Sequence, residues 1–259
     1  MSEARPLDQG GPPRRPVRNP TPGADWPILA WLADLRGRLL RVLLAGLLGT
    51  GVAWGFREEI FQLLLRPATR ALGEAGALQA IAPTEIFFTY LKASLLTGFV
   101  ATIPVFFWQL WQFIRSATGL GRSWTTAAFA FASTALFAGG VLFGHILVFP
   151  LVFDFFASFS SEFVEAAWTM REVFNLSIRL ILAFGIGFEL PLLTFFLAAT
   201  GIVSPQRLLK FTPYGVLLAF VLAAVLTPPD VVSQLMLAAP LSVLYLLGVG
   251  AGTLVGKRR

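Results

Sequence analysis

Cysteine is absent from the 259-residue sequence, histidine occurs once, and charged residues make up only 13% of the chain. The absence of cysteine excludes disulfides, thiolate metal sites and thiol nucleophiles. A zinc site on one helix face needs two imidazoles, so the single His145 excludes that class as well. Soluble domains carry about 25% charged residues, whereas this chain is 56% hydrophobic and contains 25 phenylalanines. The composition therefore predicts an integral membrane protein without metal or cofactor.

Residues 1–27 differ from the rest of the chain, because prolines and arginines alternate there and apolar residues are few. Such a segment buries too little apolar surface to offset the entropy of ordering it. The pair Arg14-Arg15 invites a signal-peptide interpretation, but Pro16 follows directly and the first apolar run begins about twenty residues later. We predict a disordered Pro/Arg-rich cytoplasmic tail over 1–27 and a membrane domain over 28–259.

Long runs with few or no charges predict an all-α protein with six membrane-spanning helices, at about 20 residues per crossing. The predicted spans cover residues 39–56, 93–114, 123–153, 180–206, 211–229 and 231–256. Pro213 and the pair Pro228-Pro229 bracket the fifth span, which leaves roughly 20 Å of helix against a hydrocarbon core of about 30 Å. Pro240 interrupts the sixth, which we also expect to be short or kinked.

The charges between the predicted spans differ from one loop to the next. Basic residues dominate before span one, between spans two and three, between spans four and five, and after span six, whereas the other loops are mixed or acidic. Since basic loops stay in the cytoplasm, we predict a multi-pass protein of the cell membrane with both termini cytoplasmic. The net charge of +6 then reflects topology, and we expect the lipid bilayer, and no nucleic acid, as a partner.

Polar groups stand out at two places in this apolar background. Asp34 and Arg38 are spaced i,i+4 on the lead-in to span one, with Arg36 on another face of the same helix. An amphipathic helix start at the membrane interface is the ordinary interpretation of this pattern. Glu189 lies inside predicted span four, where a carboxyl group is costly. It faces a cavity or a partner there, or donates one interhelical hydrogen bond in its protonated form.

The turn between spans five and six carries further polar residues. Asp230 suits the N-terminal end of helix six electrostatically, and Gln234 can bond a polar group on another helix. His145 in span three has neither a carboxylate nor a second histidine near it in the sequence. We interpret it as a hydrogen-bonded structural residue.

No enzyme is predicted, since the sequence contains no GxSxG motif and no paired membrane aspartates, and a lone histidine supplies little acid–base chemistry. A secondary transporter with Glu189 as a proton or cation site is an alternative. That alternative predicts an internal repeat and several intramembrane charges, and the sequence shows neither.

Several short motifs occur along the chain in a fixed order and spacing. They are Leu32-Ala-Asp-Leu-Arg-Gly-Arg-Leu39, Gln109-Leu-Trp-Gln-Phe113, Val148-Phe-Pro-Leu151, Phe188-Glu-Leu-Pro191, Gly201-Ile-Val-Ser-Pro205, and Leu226-Thr-Pro-Pro-Asp230 followed by Gln234. As a set they resemble the TatC family, the six-span core component of the twin-arginine protein translocase. The resemblance covers roughly residues 28–256.

The resemblance implies a cup-shaped bundle that receives signal peptides bearing paired arginines. With small single-span partners of the TatA and TatB type, such a protein exports folded proteins by means of the proton-motive force and without ATP. A homo-oligomer within the complex is also implied. In the family, a glutamate in the first motif contacts the arginines. Asp34 holds this position, and Arg36 and Phe113 belong to the same implied signal-peptide site.

The family's second acid lies in the loop after span two, and this chain departs from the pattern there. Arg122 falls at or beside that position, and no acid lies between Glu85 and Asp154. Recognition then depends on Asp34, or a partner supplies an acid. A further alternative is a divergent Tat-like scaffold without standard signal-peptide recognition.

The resemblance also implies roles for residues elsewhere in the chain. Glu189 would lie on the concave face of the cup, beside the short fifth span, and Pro67 matches a family proline in the outer loop. Gln234 and Met236, near the outer end of helix six, resemble the docking region for the single-span partners. Asp230 is expected to be a structural residue of the outer turn.

Overall fold

The structure is a computed structural model that describes residues 27–73, 78–118, 123–160, 167–227 and 230–256. Helices account for most of these residues, and the β-structure among them is one isolated bridge between Gln79 and Thr169. The predicted all-α fold class is therefore confirmed.

Ten α-helices and one π-helical segment follow one another along the described ranges. Their bounds are α1 Pro27–Gly55, α2 Arg57–Ala71, α3 Pro83–Thr118, α4 Ser123–Phe143, the π-helical segment Gly144–Val148, α5 Phe149–Ala157, α6 Met170–Gly187, α7 Leu190–Ala199, α8 Pro205–Lys210, α9 Thr212–Leu226 and α10 Val231–Gly256.

The stretches long and apolar enough to cross a membrane coincide with five of the predicted spans. They are Leu32–Gly55, Pro83–Ser116, Ser123–Ala157, Met170–Ala199 and Val231–Leu254. The helix α9 coincides with the predicted fifth span and has only 15 residues. The short fifth helix predicted from its flanking prolines is thus present. The sixth helix is not short, because α10 continues through Pro240 over 26 residues.

Several predicted span limits are wrong. The helices α1, α3 and α6 begin ten to twelve residues before the predicted spans, because interfacial residues continue a helix without being apolar. At the start of α6, the Thr169 hydroxyl accepts a hydrogen bond from the Glu172 amide and caps the helix. Predicted span four runs to residue 206, whereas α7 ends at Ala199. Gly201 ends it in the left-handed region, at φ +77°.

Helix α2 occupies a region that the sequence predicts as an outer loop, and Pro67 lies inside this helix. Leu65, Pro67 and Ala68 are buried, and α2 packs against α5. Packing of this face offsets the helix-breaking effect of a proline, which removes one backbone donor. The prediction that Pro67 is a loop residue is therefore wrong.

The π-helical segment joins α4 to α5 and contains His145. Pro150 follows within one turn, and since proline has no backbone N–H, the regular hydrogen-bond ladder is interrupted there. The Nδ1 atom of His145 is buried and has no hydrogen-bond partner among the described residues. Its ring packs edge-on against Phe149, with ring centroids 5.4 Å apart. The predicted hydrogen bond of this histidine is thus absent at Nδ1.

The main core packs α5 and α6 against α2, α3, α9 and α10. Its largest fully buried side chains are Phe149, Phe153, Phe174, Phe184, Leu65, Leu180 and Leu237. Many large apolar side chains on the outside are exposed, among them Trp124 at 80%. An apolar exterior around an apolar core is typical of a bundle that lipid surrounds.

Some predictions concern residues outside the described ranges. They are the disordered tail up to residue 26, the loop position Arg122, the Pro228-Pro229 turn, the basic C-terminal residues 257–259, and two acids of the predicted outer loop between spans three and four, Glu162 and Glu165.

Candidate functional site

The first candidate site lies where α1 crosses α3, and a close backbone approach sets its geometry. A Cβ atom at Gly98 would lie only 2.7 Å from the Thr50 Cα, so this position of α3 accommodates only glycine at this distance. The Thr102 hydroxyl donates to the Gly98 carbonyl at 2.7 Å. Because the two helices run antiparallel from this crossing, the N-terminal half of α1 lies along the C-terminal half of α3.

A polar cluster forms at the end of this helix pair. Arg38 donates from Nε to the Asp34 Oδ2 at 2.9 Å, which confirms the predicted i,i+4 ion pair. The other end of the same guanidinium donates to the amide oxygens of Gln112, at 3.1 Å, and Gln109, at 3.4 Å. Arg41 also donates to Gln109, at 3.4 Å. We call Asp34, Arg38, Gln109 and Gln112 the entrance cluster.

The surroundings of the entrance cluster combine apolar and basic groups. Phe113 lines a small cavity of about 90 Å³ together with Arg38 and Gln109. Arg36 is exposed on another face of α1, as predicted. The structure therefore brings Asp34 and Phe113 to one site through Arg38, and leaves Arg36 at its edge.

The charges at this site are one carboxylate, Asp34, and two guanidinium groups, Arg38 and Arg41. The side chain of Asp34 is 38% exposed, whereas that of Arg38 is 14% exposed. Among the described residues, the Asp34 carboxylate makes one hydrogen bond, through Oδ2. The Oδ1 atom is available to a cationic ligand, and the two glutamine amides add neutral acceptors next to it.

The second candidate site lies around Glu189, at a break between α6 and α7. Pro191 is in the first turn of α7, and the two residues between the helices, Phe188 and Glu189, form a turn. The Glu189 side chain faces α4, within range of the Ser133 side chain and the Phe137 backbone. Its Oε1 atom is buried without a hydrogen-bond partner among the described residues.

Ser133 links this carboxyl group to α3. The Trp111 indole N–H donates to the Ser133 hydroxyl at 3.0 Å, and both residues are buried. Trp111 in turn stacks on Phe129, with ring centroids 4.7 Å apart. Trp111 and Ser133 are thus hydrogen-bonded across α3 and α4, and Glu189 lies near Ser133 at the α6–α7 break. We call these three residues the buried chain. The sequence signal for its two unpredicted members is a polar atom within an otherwise apolar span.

The third candidate site lies where α9 meets α10. The Asp230 Oδ1 accepts from the Ser233 amide at 2.7 Å, which is the predicted cap of helix six. Gln234 is half-buried and donates from its amide nitrogen to the Phe220 carbonyl of α9 at 3.2 Å, which is the predicted bond to a polar group on another helix. Met236 is half-buried and packs against the main core. This site is separate from the other two.

A metal site is not assembled by the described part of the chain, where no group of three or more histidine, aspartate or glutamate side chains lies close enough to hold an ion.

Known proteins are similar to this chain in both sequence and fold. Residues 30–240 match the TatC family, described as Sec-independent protein translocase protein. The chain is 38% identical to the Sec-independent protein translocase protein TatC of Desulforapulum autotrophicum, over 90% of this chain and 86% of that protein. It is 31% identical to the TatC of Aquifex aeolicus, over 90% of this chain and 97% of that protein.

The three-dimensional match is equally extensive. The crystal structure of the twin arginine translocase receptor TatC superposes with a TM-score of 0.79 at 31% identity, and the match covers 87% of this chain and 99% of that one. The match of the family description, the identity to these relatives and the shared fold agree with the motif resemblance. The chain is a member of the TatC family of Sec-independent protein translocase proteins.

Proposed function

We propose that this protein receives twin-arginine signal peptides at the entrance cluster and, with single-span partners of the TatA and TatB type, exports folded proteins by means of the proton-motive force. The protein is a translocase core component and not an enzyme. The observation that carries the receptor role is the half-exposed Asp34 carboxylate, held beside two amide oxygens by Arg38.

The chemistry of this cluster suits a guanidinium ligand. A carboxylate offers two oxygens in one plane, which matches the paired N–H groups of arginine. Arg38 occupies Oδ2 through a single contact, so an incoming arginine binds Oδ1 or displaces Arg38. Phe113 and its small apolar cavity then accommodate the apolar residues of the peptide.

The missing second acid has a candidate substitute in the entrance cluster. The amide oxygens of Gln109 and Gln112 already accept from the guanidinium of Arg38, at 3.4 and 3.1 Å. Neutral amides bind a guanidinium more weakly than a carboxylate does. We infer that the second arginine of the ligand bonds to these amides, and that Asp34 contributes most of the binding free energy.

The remaining predicted residues support the assembly. Gln234 and Met236 form the docking region for single-span partners, and Asp230 and Pro67 hold the outer ends of α10 and α2. Glu189 lies on the concave face of the cup, where a carboxyl group polarises the membrane beside the short α9.

We propose that the membrane is the cell membrane; the long apolar helices support a membrane location. The excess of lysine and arginine in alternate loops supports six spans with both termini in the cytoplasm. The tail over 1–27 is proposed to be disordered, and the protein to form a homo-oligomer within the translocase.

Cross-linking of a twin-arginine peptide to membranes that contain the full chain tests the receptor role. We expect Asp34→Ala to lower the cross-linked yield at least about tenfold, because one charge-assisted interaction is lost, and Asp34→Glu to retain it. Asp154→Ala, which removes an exposed acid on α5, is the matched control. Unchanged cross-linking of Asp34→Ala would refute the proposal.

One observation favours a second candidate, a divergent Tat-like scaffold that does not read signal peptides. The position of the family's second acid carries Arg122 instead, and like charges repel a twin-arginine ligand. A wild-type chain that cross-links no twin-arginine peptide but still recovers single-span partners would support this alternative.

A further inference from the structure

A cavity of about 390 Å³ lies between the end of α5 and the start of α6, and none of its lining residues belongs to the three candidate sites. Its apolar wall includes Phe153, Phe156 and Leu176. Trp168, at the mouth, lies 5.7 Å from Phe153 between ring centroids. Its polar lining comes mainly from one face of α6, and the proposed function uses none of it.

Two opposite charges on that face line the cavity without neutralising each other. Glu172 and Arg179 are seven residues apart on α6, or about 10 Å along the helix axis. Within the described ranges, neither forms an ion pair with the other or with a third residue. Both are exposed, and Asn175 lies between them on the same face. The cavity thus presents an unpaired cation at its inner end and an unpaired anion at its outer end.

The depth of Arg179 follows from the lengths of the helices. The helix α3 has 36 residues, or about 54 Å, so it exceeds a hydrocarbon core of about 30 Å by roughly 12 Å at each end when the excess is shared equally. Backbone hydrogen bonds of Gln79 with Trp168 and Met170 tie the start of α6 to the start of α3.

Arg179 lies nine residues after Met170 and so about 13 Å further in. This level is close to the boundary of the hydrocarbon core, from which an extended arginine side chain reaches outward to the lipid phosphates. Glu172 lies further out, in the headgroup region. The cation therefore lies nearer the bilayer centre and the anion nearer the water. This order matches a phospholipid in which an amine-bearing headgroup is attached to the phosphate and lies outside it.

We propose that this cavity binds one phospholipid with an amine-bearing headgroup. Arg179 and Asn175 donate hydrogen bonds to the phosphate, and Glu172 accepts from the ammonium group. The half-buried Phe156 and Leu176 contact the glycerol region and the start of the acyl chains, with Phe153 packed in the core behind them. On the proposed orientation of the chain, the lipid belongs to the outer leaflet.

Native mass spectrometry of the full-length protein in detergent, after incubation with phosphatidylethanolamine or phosphatidylglycerol, tests the site. The wild type is expected to retain phosphatidylethanolamine in preference to phosphatidylglycerol. R179Q should lower retention about tenfold, because a charged hydrogen-bonding partner of the phosphate is lost, and R179K should restore most of it. E172Q should abolish the preference between the two lipids while both still bind.

The matched control is R171Q on the same helix. Arg171 is exposed and its backbone amide, at 2.8 Å from the Glu85 Oε1, fixes its place, but its side chain does not line the cavity. Retention by R179Q equal to the wild type would overturn the proposal, since Arg179 then only extends to water. An equal loss in R171Q would also overturn it, since Arg179 then only adds to a general surface charge.

A membrane protein retained by the wild type and lost from R179Q, with no change in lipid, would equally overturn it. If R179Q fails to fold, the lipid preference of E172Q decides. The measurement involves neither signal peptide nor translocase partner, so its failure leaves the proposed function intact.

Discussion

The entrance cluster and the buried chain lie on two sides of the last turns of α3, and they differ in how their polar groups are held. In the entrance cluster, long side chains from α1 and α3 meet at a half-exposed carboxylate, with contacts of 2.9 to 3.4 Å. In the buried chain, Trp111 and Ser133 are enclosed by packed side chains. A ligand can compete for the first set, whereas the second set stabilises the contact between helices.

The largest effect is expected from a substitution at Gly98, the glycine at which α1 and α3 make their close contact. Gly98→Ala introduces a Cβ against the Thr50 backbone, and such overpacking costs about 1 to 3 kcal/mol. We expect unfolding at lower SDS content in mixed micelles and loss of twin-arginine peptide cross-linking. Gly51→Ala on α1, where a Cβ meets nothing within 4 Å, should leave both unchanged. Equal behaviour of the two variants would show that the close approach is not needed.

A smaller effect is expected in the buried chain. Ser133→Ala leaves the Trp111 indole N–H without its acceptor, at a cost of about 1 kcal/mol for a hydrogen bond between membrane helices. Mixed-micelle unfolding measures the loss, and tryptophan emission reports the altered environment. Ser116→Ala, at an exposed position on α3, is the control. If peptide cross-linking falls as far as stability does, the two regions are not independent.

The third substitution lies at the contact between α9 and α10, where Gln234 is expected to help dock the single-span partners. Gln234→Leu removes the hydrogen bond to the Phe220 carbonyl, and we expect severalfold lower recovery of single-span partners, in line with about 1 kcal/mol. Gln62→Leu on the exposed side of α2 should have no effect in the same affinity pulldown. Equal recovery from wild-type and Gln234→Leu membranes would remove Gln234 from the docking region.

The smallest expected effect is that of salt, which should weaken peptide binding at the entrance cluster and leave the stability of the buried chain unchanged. Peptide binding to the half-exposed Asp34 should weaken severalfold between about 0.05 and 0.5 M salt, because screening is strong at exposed charges. The free energy of unfolding should change little, since the buried chain lies out of solvent. Salt-independent peptide binding would indicate that Asp34 is not the main contact.

The sequence was sufficient for the parts of the fold that depend on local pattern. The six apolar runs, the short α9 between its prolines, the cap at Asp230 and the ion pair of Asp34 with Arg38 all follow from composition and spacing. Helix α2 was missed because its start is charged and it contains Pro67. Its stability comes from packing, which a local pattern does not report.

Contacts between helices that are distant in the chain could not be predicted from the sequence either. Arg38 and Gln112 are 74 positions apart, and only the register set at Gly98 brings them together. The same holds for Trp111 and Ser133, which lie on different helices. The spacing of charges and the family motifs both pointed to Asp34 and Glu189, but the residues that contact them could be identified only from the three-dimensional arrangement.

Export of a folded twin-arginine reporter, in a strain that lacks its own TatC component, is the most direct test of the role of Asp34 in signal-peptide recognition. The wild-type chain is predicted to restore export, and Asp34→Asn, which keeps the shape of the side chain but removes its charge, is predicted to abolish most of it. Export by Asp34→Asn at the wild-type level, with equal amounts of protein in the membrane, would show that the Asp34 charge is not needed for signal-peptide recognition.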